Sequence, residues 1–109
     1  MQTATERYDE AIEMQQAGKL EEAVAKLESL LADEPNCVLA YAGLSVFYNK
    51  LGRNDEAVEH ARKVCELDPD DPFSFMAMSL ICQRAGRIAE AEQALGTAME
   101  KQWAGQRNA

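Results

Sequence analysis

The side chains best suited to chemistry in this chain are His60, Cys37, Cys65 and Cys82, and their spacing decides how much chemistry they can do. An imidazole with Glu56 four residues before it and Arg62 two after has the ingredients of a general base or a metal ligand. His60 is nevertheless the single histidine, and no cysteine stands at metal-ligand spacing from it, so a solvated helix surface is its expected setting. The three cysteines are an odd number and form no C-x-x-C pair. That points away from a disulfide framework or a zinc site and toward a reducing compartment. Cys65 and Cys82 fall at apolar helical positions and read as small buried hydrophobes. Cys37 lies near a helix start, which would lower a thiol pKa, but Asp33 and Glu34 beside it oppose that. The 19 Asp and Glu residues are scattered without an apolar pocket to raise one as a general acid, and no phosphate loop or serine nucleophile motif is present. The expectation is a non-catalytic protein with no cofactor and no metal.

The elements that must position these residues announce themselves by repetition. QQAGKLEEA at Gln15 returns as NKLGRNDEA at Asn49 and as QRAGRIAEA at Gln83, each copy 34 residues after the last. Gly18, Gly52 and Gly86 align, each is followed by a base (Lys19, Arg53, Arg87), and each copy closes on an acid-alanine pair. Pro35 and Pro69 keep the same period. A fixed period of this length is the mark of stacked repeats. Glycine and proline divide each unit into two segments of about a dozen residues, and Leu20, Ala23, Val24, Leu27, Leu30 and Leu31 follow the three-or-four spacing of one helical face. Helices are therefore predicted at 4–17, 20–33, 37–51, 54–67, 72–85 and 88–102. Thr3 with Glu6 forms a capping-box pattern, and Asp71 before Pro72 marks another helix start. The glycines end helices cheaply by taking positive φ. Ala23, Ala57 and Ala91, with Ala11, Ser45 and Ser79, are small enough to let paired helices approach closely.

Composition narrows the partners. A chain of 109 residues holds one domain at most. Its net charge of −8 argues against nucleic acid and against an anionic membrane face. The charge is uneven: −6 over residues 4–37 (nine acids, three bases), −3 over 38–71 (seven and four) and 0 over 72–105 (three and three). MQTATERYDE has neither a basic start nor an apolar run, and no apolar stretch approaches a membrane span, so a cytoplasmic location is expected.

Units of 34 residues with glycine at the turn, alanine in the second helix and proline after it resemble tetratricopeptide repeats. Three of them, at about 4–37, 38–71 and 72–105, leave a short tail at 106–109 of a single domain spanning residues 1–109. The second unit is the closest match, with Tyr41, Leu44, Ser45, Tyr48, Gly52, Ala57 and Pro69 at the pattern's positions. The first departs from it at Arg7 and Glu10, and the third carries Trp103 where proline is usual; terminal repeats are commonly atypical. The resemblance implies an all-α fold, three tandem helix-turn-helix repeats forming a short right-handed α-solenoid. It also implies non-catalytic binding of a partner protein, as an adaptor or co-chaperone-like module.

The first helices of units two and three, VLAYAGLSVFYN and PFSFMAMSLICQ, contain no charge, and a helix apolar all round needs cover on two sides. In the family such helices line a concave groove for a peptide or a partner's helix. The resemblance thus implies a groove floor of Leu39, Ala42, Val46, Phe73, Met76 and Leu80, with Tyr8 and Ile12. The competing reading is that these side chains are buried between neighbouring repeats. Gln15, Asn49, Lys50, Gln83 and Arg84 stand near the helix ends, either as a polar rim for a partner's main chain or simply hydrating helix termini. The cationic clamp by which some relatives hold EEVD tails of heat-shock chaperones needs Lys, Arg and Asn at inward positions, where this chain has Tyr8, Ile12, Gly43, Phe73 and Ala77. Gly43 and Gly96 interrupt helices at about 1 kcal/mol each relative to alanine, Gly43 either for a partner's backbone or for helix packing. Met99 and Trp103, four apart, form an apolar pair at the C-terminal end that invites self-association or docking by a partner, including contact with the acidic N-terminal end of another copy, the competing reading being that Trp103 folds back onto its own helix. The alternative to an adaptor is thus a self-assembling scaffold in which the groove or this end is filled by another copy.

Overall fold

Leucine and alanine faces at helical spacing, punctuated by glycine and proline, fold as their period dictates. The computed structural model describes residues 2–107. Its six helices are α1 (Ala4–Gln16), α2 (Leu20–Asp33), α3 (Val38–Lys50), α4 (Asn54–Leu67), α5 (Pro72–Arg84) and α6 (Ile88–Arg107), and no strand occurs among the described residues. They form three antiparallel hairpins, α1–α2, α3–α4 and α5–α6. The hairpins stack through α2 on α3 and α4 on α5, with α1, α3 and α5 side by side. The all-α, three-hairpin architecture expected from the period is the one observed.

The recurring nonamer is a helix-ending device. Gly18, Gly52 and Gly86 take φ of 82°, 79° and 78°, a region that side-chain-bearing residues avoid. Each glycine N–H donates to the carbonyl three residues back, and the N–H of the following base reaches the carbonyl five residues back: Lys19 to Met14, Arg53 to Tyr48 and Arg87 to Cys82, all at 2.8 Å. That paired bonding satisfies carbonyls the helix end would leave open. The base and the later acid also cooperate, since Arg53 meets the Glu56 carboxylate at 2.6 Å through both Nε and NH2. At α1 the Thr3 hydroxyl accepts from Glu6 N–H while the Glu6 carboxylate accepts from Thr3 N–H, and at α5 the Asp71 carboxylate accepts from Phe73 N–H.

The core runs through the stack, with Leu27, Leu30, Leu44, Phe47, Val58 and Cys82 sealed from solvent. The aligned small residues do set helix spacing: Ala11, Ala23 and Ala57 are wholly buried, and the Ser79 hydroxyl crosses from α5 to donate to the Ala91 carbonyl of α6 at 2.8 Å. Gly43 belongs to this group. A Cβ there would lie 2.6 Å from Leu27 Cδ1 and 3.2 Å from the Tyr8 ring, so the missing side chain serves the packing of α3 on α2 and α1. Gly96 differs, with nothing within 4 Å of its Cβ position.

The last helix is longer than its period predicts. It continues through Arg107, where a stop at 102 was expected. Proline at 35 and 69 prevents such an extension in the other units, because it lacks the N–H and biases the preceding residue away from helix; Trp103 does neither. Residues 106 and 107 of the expected tail are thus helical, while 108 and 109 lie outside the described residues. Among the described residues no helix is long and apolar enough to cross a membrane.

Candidate functional site

Two first helices carrying small residues toward each other leave a cleft between them. Ala42, Ser45 and Val46 of α3 form one wall, Ser74, Ala77, Leu80, Ile81 and Arg84 of α5 the other, and Ala61 and Val64 of α4 the floor, enclosing about 160 Å³. The walls are mostly apolar, and two of the polar groups present are already engaged: the Ser45 hydroxyl donates to the Ala42 carbonyl at 2.7 Å, and the Ser74 carbonyl accepts from the Cys65 thiol at 3.4 Å. Arg84 supplies the only charge among the lining residues.

Of the residues singled out from the sequence, Ala42, Val46, Leu80 and Arg84 meet in this cleft. Leu39 and Phe73, in register 34 apart near the starts of α3 and α5, are 40% and 70% exposed beyond the lining. Met76 is half-buried and also outside it. Tyr8 and Ile12 are half-buried and packed against the core, with Tyr8 closing on Gly43. Gln15 is half-buried, and the Asn49 amide donates to Asn54 Oδ1 at 3.4 Å, so this side chain links α3 to α4. Lys50 and Gln83 stand exposed at their helix ends. The sequence did not place Ser45, Ala61, Val64, Ser74 and Ile81 on the cleft, and it gave Ala77 an inward position without making it part of the floor. The signal was present in the run of Ser74, Ala77, Leu80 or Ile81, and Arg84, which tracks one face of α5.

The charge-free composition of α3 and α5 thus divides in two. α3 packs against α1, α2, α4 and α5, which accounts for burial of Ala40, Leu44, Phe47 and Tyr48 and leaves Val46 and Leu39 outside. α5 has fewer neighbours, and it leaves Phe73, Ala77 and Leu80 open to solvent.

His60 departs from its expected solvated setting. It is half-buried, its ring lies 5.8 Å from that of Tyr41 and 5.1 Å from that of Tyr48, and Nδ1 approaches the Glu56 carbonyl at 2.7 Å. A carbonyl only accepts, so Nδ1 carries the proton. Beside it the Tyr48 hydroxyl donates to the Glu28 carboxylate, and Arg53 covers the Tyr48 ring at 4.5 Å. Burial, reinforced by Glu28, pushes the Tyr48 phenol above its ordinary value. Burial likewise raises the Cys65 thiol to about 11 and the Cys82 thiol in the same direction, so both are protonated at neutral pH and poor nucleophiles. Among the described residues no group of three or more His, Cys, Asp and Glu side chains is placed to hold a metal ion.

Stacked helical hairpins with an apolar cleft between their first helices define a class of repeat protein. The chain belongs to the tetratricopeptide repeat family: the family model described as tetratricopeptide repeat matches residues 8–72, more than half of its length. It is 31% identical over 86 residues to the Protein CTR9 homolog of Arabidopsis thaliana, a match covering 77% of this chain and 8% of that protein. Over 91 residues it is 32% identical to human Tetratricopeptide repeat protein 13, covering 79% and 11%. The chain therefore spans about a tenth of the length of these curated relatives. Among solved structures it is similar to MamA, with a TM-score of 0.84 at 21% identity over 96% of this chain and 61% of that one. It also resembles the second repeat domain of Spaghetti (RPAP3), solved with the HSP90 peptide SRMEEVD, at a TM-score of 0.78 and 22% identity over 90% and 91% of the two chains. At such identities the likeness is one of fold.

Proposed function

We propose that this chain is a non-catalytic protein-interaction module that holds an extended or helical segment of a partner protein, by apolar anchors, in the cleft between α3 and α5. The observation that carries this reading is the apolar surface left open on the first helices: Leu39, Val46, Phe73 and Leu80 are 37–70% exposed around a cleft in which the Ser45 hydroxyl and the Ser74 carbonyl are already hydrogen-bonded. A docked aliphatic side chain would bury its own surface and that of Val46 and Leu80 together, at about 1.5–3 kcal/mol per anchor. Arg84 at the same cleft offers a donor fork to a backbone carbonyl or carboxylate of the ligand. An adaptor or co-chaperone-like role fits this surface, as does the peptide-bound state of the RPAP3 domain. The SRMEEVD type of ligand itself fits poorly. Tyr8, Ile12, Gly43, Phe73 and Ala77 occupy the clamp positions, and Gly43 is buried under Leu27 and Tyr8.

The absence of catalysis in this reading rests on what the reactive side chains already do. His60 is wedged between two tyrosines, and the Cys65 and Cys82 thiols are held protonated. Three free cysteines suit a reducing compartment such as the cytoplasm. The test is peptide selection from a displayed library on the purified chain, followed by titration of the best sequence. Leu80→Asp, with Val46→Asp on the facing wall as a second variant, should weaken binding at least about tenfold while leaving helicity unchanged, and Lys50→Ala should bind as the parent does. Equal affinity for Leu80→Asp and parent would refute the cleft assignment.

A further inference from the structure

The groove between α2 and α4 and the groove between α4 and α6 are the same place in successive units, and they are filled differently. In each, two second helices pack on the first helix between them and not on each other. Between α2 and α4 the filling is aromatic: the His60 imidazole of α4 stands against the rings of Tyr41 and Tyr48 of α3, and Tyr48 reaches Glu28 of α2. One period of 34 residues later, His60 is replaced by Ala94, Tyr48 by Cys82 and Leu31 by Cys65, while Tyr41 keeps its ring as Phe75. Arg62, in register with Glu28, turns instead to Glu90 of α6, NH2 to Oε2 at 3.0 Å. An imidazole, a phenol and a branched side chain are thus exchanged for three small ones. Beside Phe75 the second groove holds a cavity of about 340 Å³, whose apolar lining is Cys65, Phe75, Met78 and Ala94. It shares no lining residue with the α3–α5 cleft.

We propose that this cavity binds a free planar aromatic molecule of indole size, its ring taking the place that the His60 imidazole holds in the preceding unit. The lining suits such a ring. Cys65 and Met78 present sulfur, which makes favourable contacts with aromatic edges, and Phe75 offers a ring for offset or edge-to-face packing. Arg62 adds a guanidinium at the same cavity, attracted to a π-face. Lys101 Nζ, 5.4 Å over the Phe75 ring, lies outside the lining. Glu66 and Gln93 also line the cavity and give a ring N–H or O–H an acceptor. Size points the same way, since a dry cavity of about 150 Å³ takes a benzene ring, and this one has room for two fused rings. A free molecule is favoured over a partner's side chain because Arg62, Glu66 and Glu90 bring charge to the cavity, and the exposed Phe73, Leu80 and Leu95 are not among its lining. A protein docking there would lack the apolar core that a stable interface needs. This site stands whether or not the α3–α5 cleft holds a peptide.

Met78 is the one methionine lining the cavity, so its methyl resonance in the full chain labelled with ¹³C-methyl methionine reports on the site. Indole is the probe. The expected result is a saturating upfield shift of the Met78 methyl, with a dissociation constant of about 0.1–1 mM, while Met14 and Met99 stay in place. Cyclohexanol should bind at least about tenfold more weakly. Ala94→His restores the ring of the preceding unit, with Nδ1 set to donate to the Glu90 carbonyl as His60 does to Glu56, and should abolish the shift with unchanged circular dichroism. Thr97→Leu, which enlarges a half-buried lining residue, should weaken indole at least about tenfold and decides the matter if Ala94→His loses helicity. Leu80→Asp, in the other cleft, should change nothing. A Met78 methyl unmoved by about 5 mM indole, a shift that survives the deciding variant or is lost with Leu80→Asp, or cyclohexanol binding as well as indole would overturn the proposal. Tighter binding of N-acetyltryptophanamide than of indole would also overturn it, assigning the cavity to a partner's side chain.

Discussion

Two glycines sit inside helices of this chain, and the structure assigns their replacement by alanine opposite signs. Alanine in a helix interior is favoured over glycine by about 1 kcal/mol, and Gly96 should show that gain nearly undiminished because nothing lies within 4 Å of its Cβ position. At Gly43 the new methyl would meet Leu27 Cδ1 at 2.6 Å, whereas carbon atoms in good contact stand about 3.5–4.0 Å apart. The Leu27 methyl must therefore retreat by about 1 Å. It has no free direction in which to go, being wholly buried among core side chains, and the Tyr8 ring closes the other side at 3.2 Å. Overpacking of this kind costs about 1–3 kcal/mol, which offsets or exceeds the propensity gain. Gly43→Ala should thus be neutral to about 2 kcal/mol destabilising, and the two variants should differ by about 1–3 kcal/mol, or at least about 5 °C in Tm for a domain of this size. Urea denaturation measures both midpoints. A Gly43→Ala variant stabilised as much as Gly96→Ala would refute the packing role given to Gly43.

The buried thiols supply a second prediction. At pH 8, iodoacetamide should modify half-buried Cys37 first and leave Cys65 and Cys82 protected in the native state. Because burial raises the Cys65 thiol from 9.0 to about 11, the folded state holds its proton more tightly than the unfolded chain. The corresponding stability is complete below pH 9 and is lost as pH rises through 11; a denaturation midpoint that climbs across that interval in the parent, relative to Cys65→Ala, would contradict this. Tyr48→Phe removes the donor to Glu28 and should destabilise by about 1 kcal/mol in urea denaturation. Glu10 is held below the usual carboxylate value chiefly by its bond to Lys26, whose Nζ lies 2.5 Å away. Its contribution is present above the ordinary carboxylate pKa and lost as pH falls through the lowered one, and an NMR titration of Lys26→Met should show the Glu10 pKa rising.

Local chemistry made most of the architecture readable in advance. A helix ends where glycine accepts positive φ and the next base turns its N–H back, and that choice needs only neighbours in sequence, so Gly18, Gly52 and Gly86 placed all three hairpin turns. The end of α6 was misjudged by five residues because a helix without a stop signal runs on, and the period alone does not supply one. His60 was misplaced for a different reason. Its company, Tyr41 and Tyr48, comes from α3 and is invisible to a search along α4.

Sequence by itself determined the repeat length, the helix type and the hairpin turns, since each follows from spacing and backbone preference within a few residues. Only the tertiary structure decided which apolar residues remain outside. Val46 and Phe47 are adjacent in one charge-free helix, yet Val46 borders an open cleft and Phe47 is sealed. The difference lies in which faces of α3 its four neighbouring helices cover.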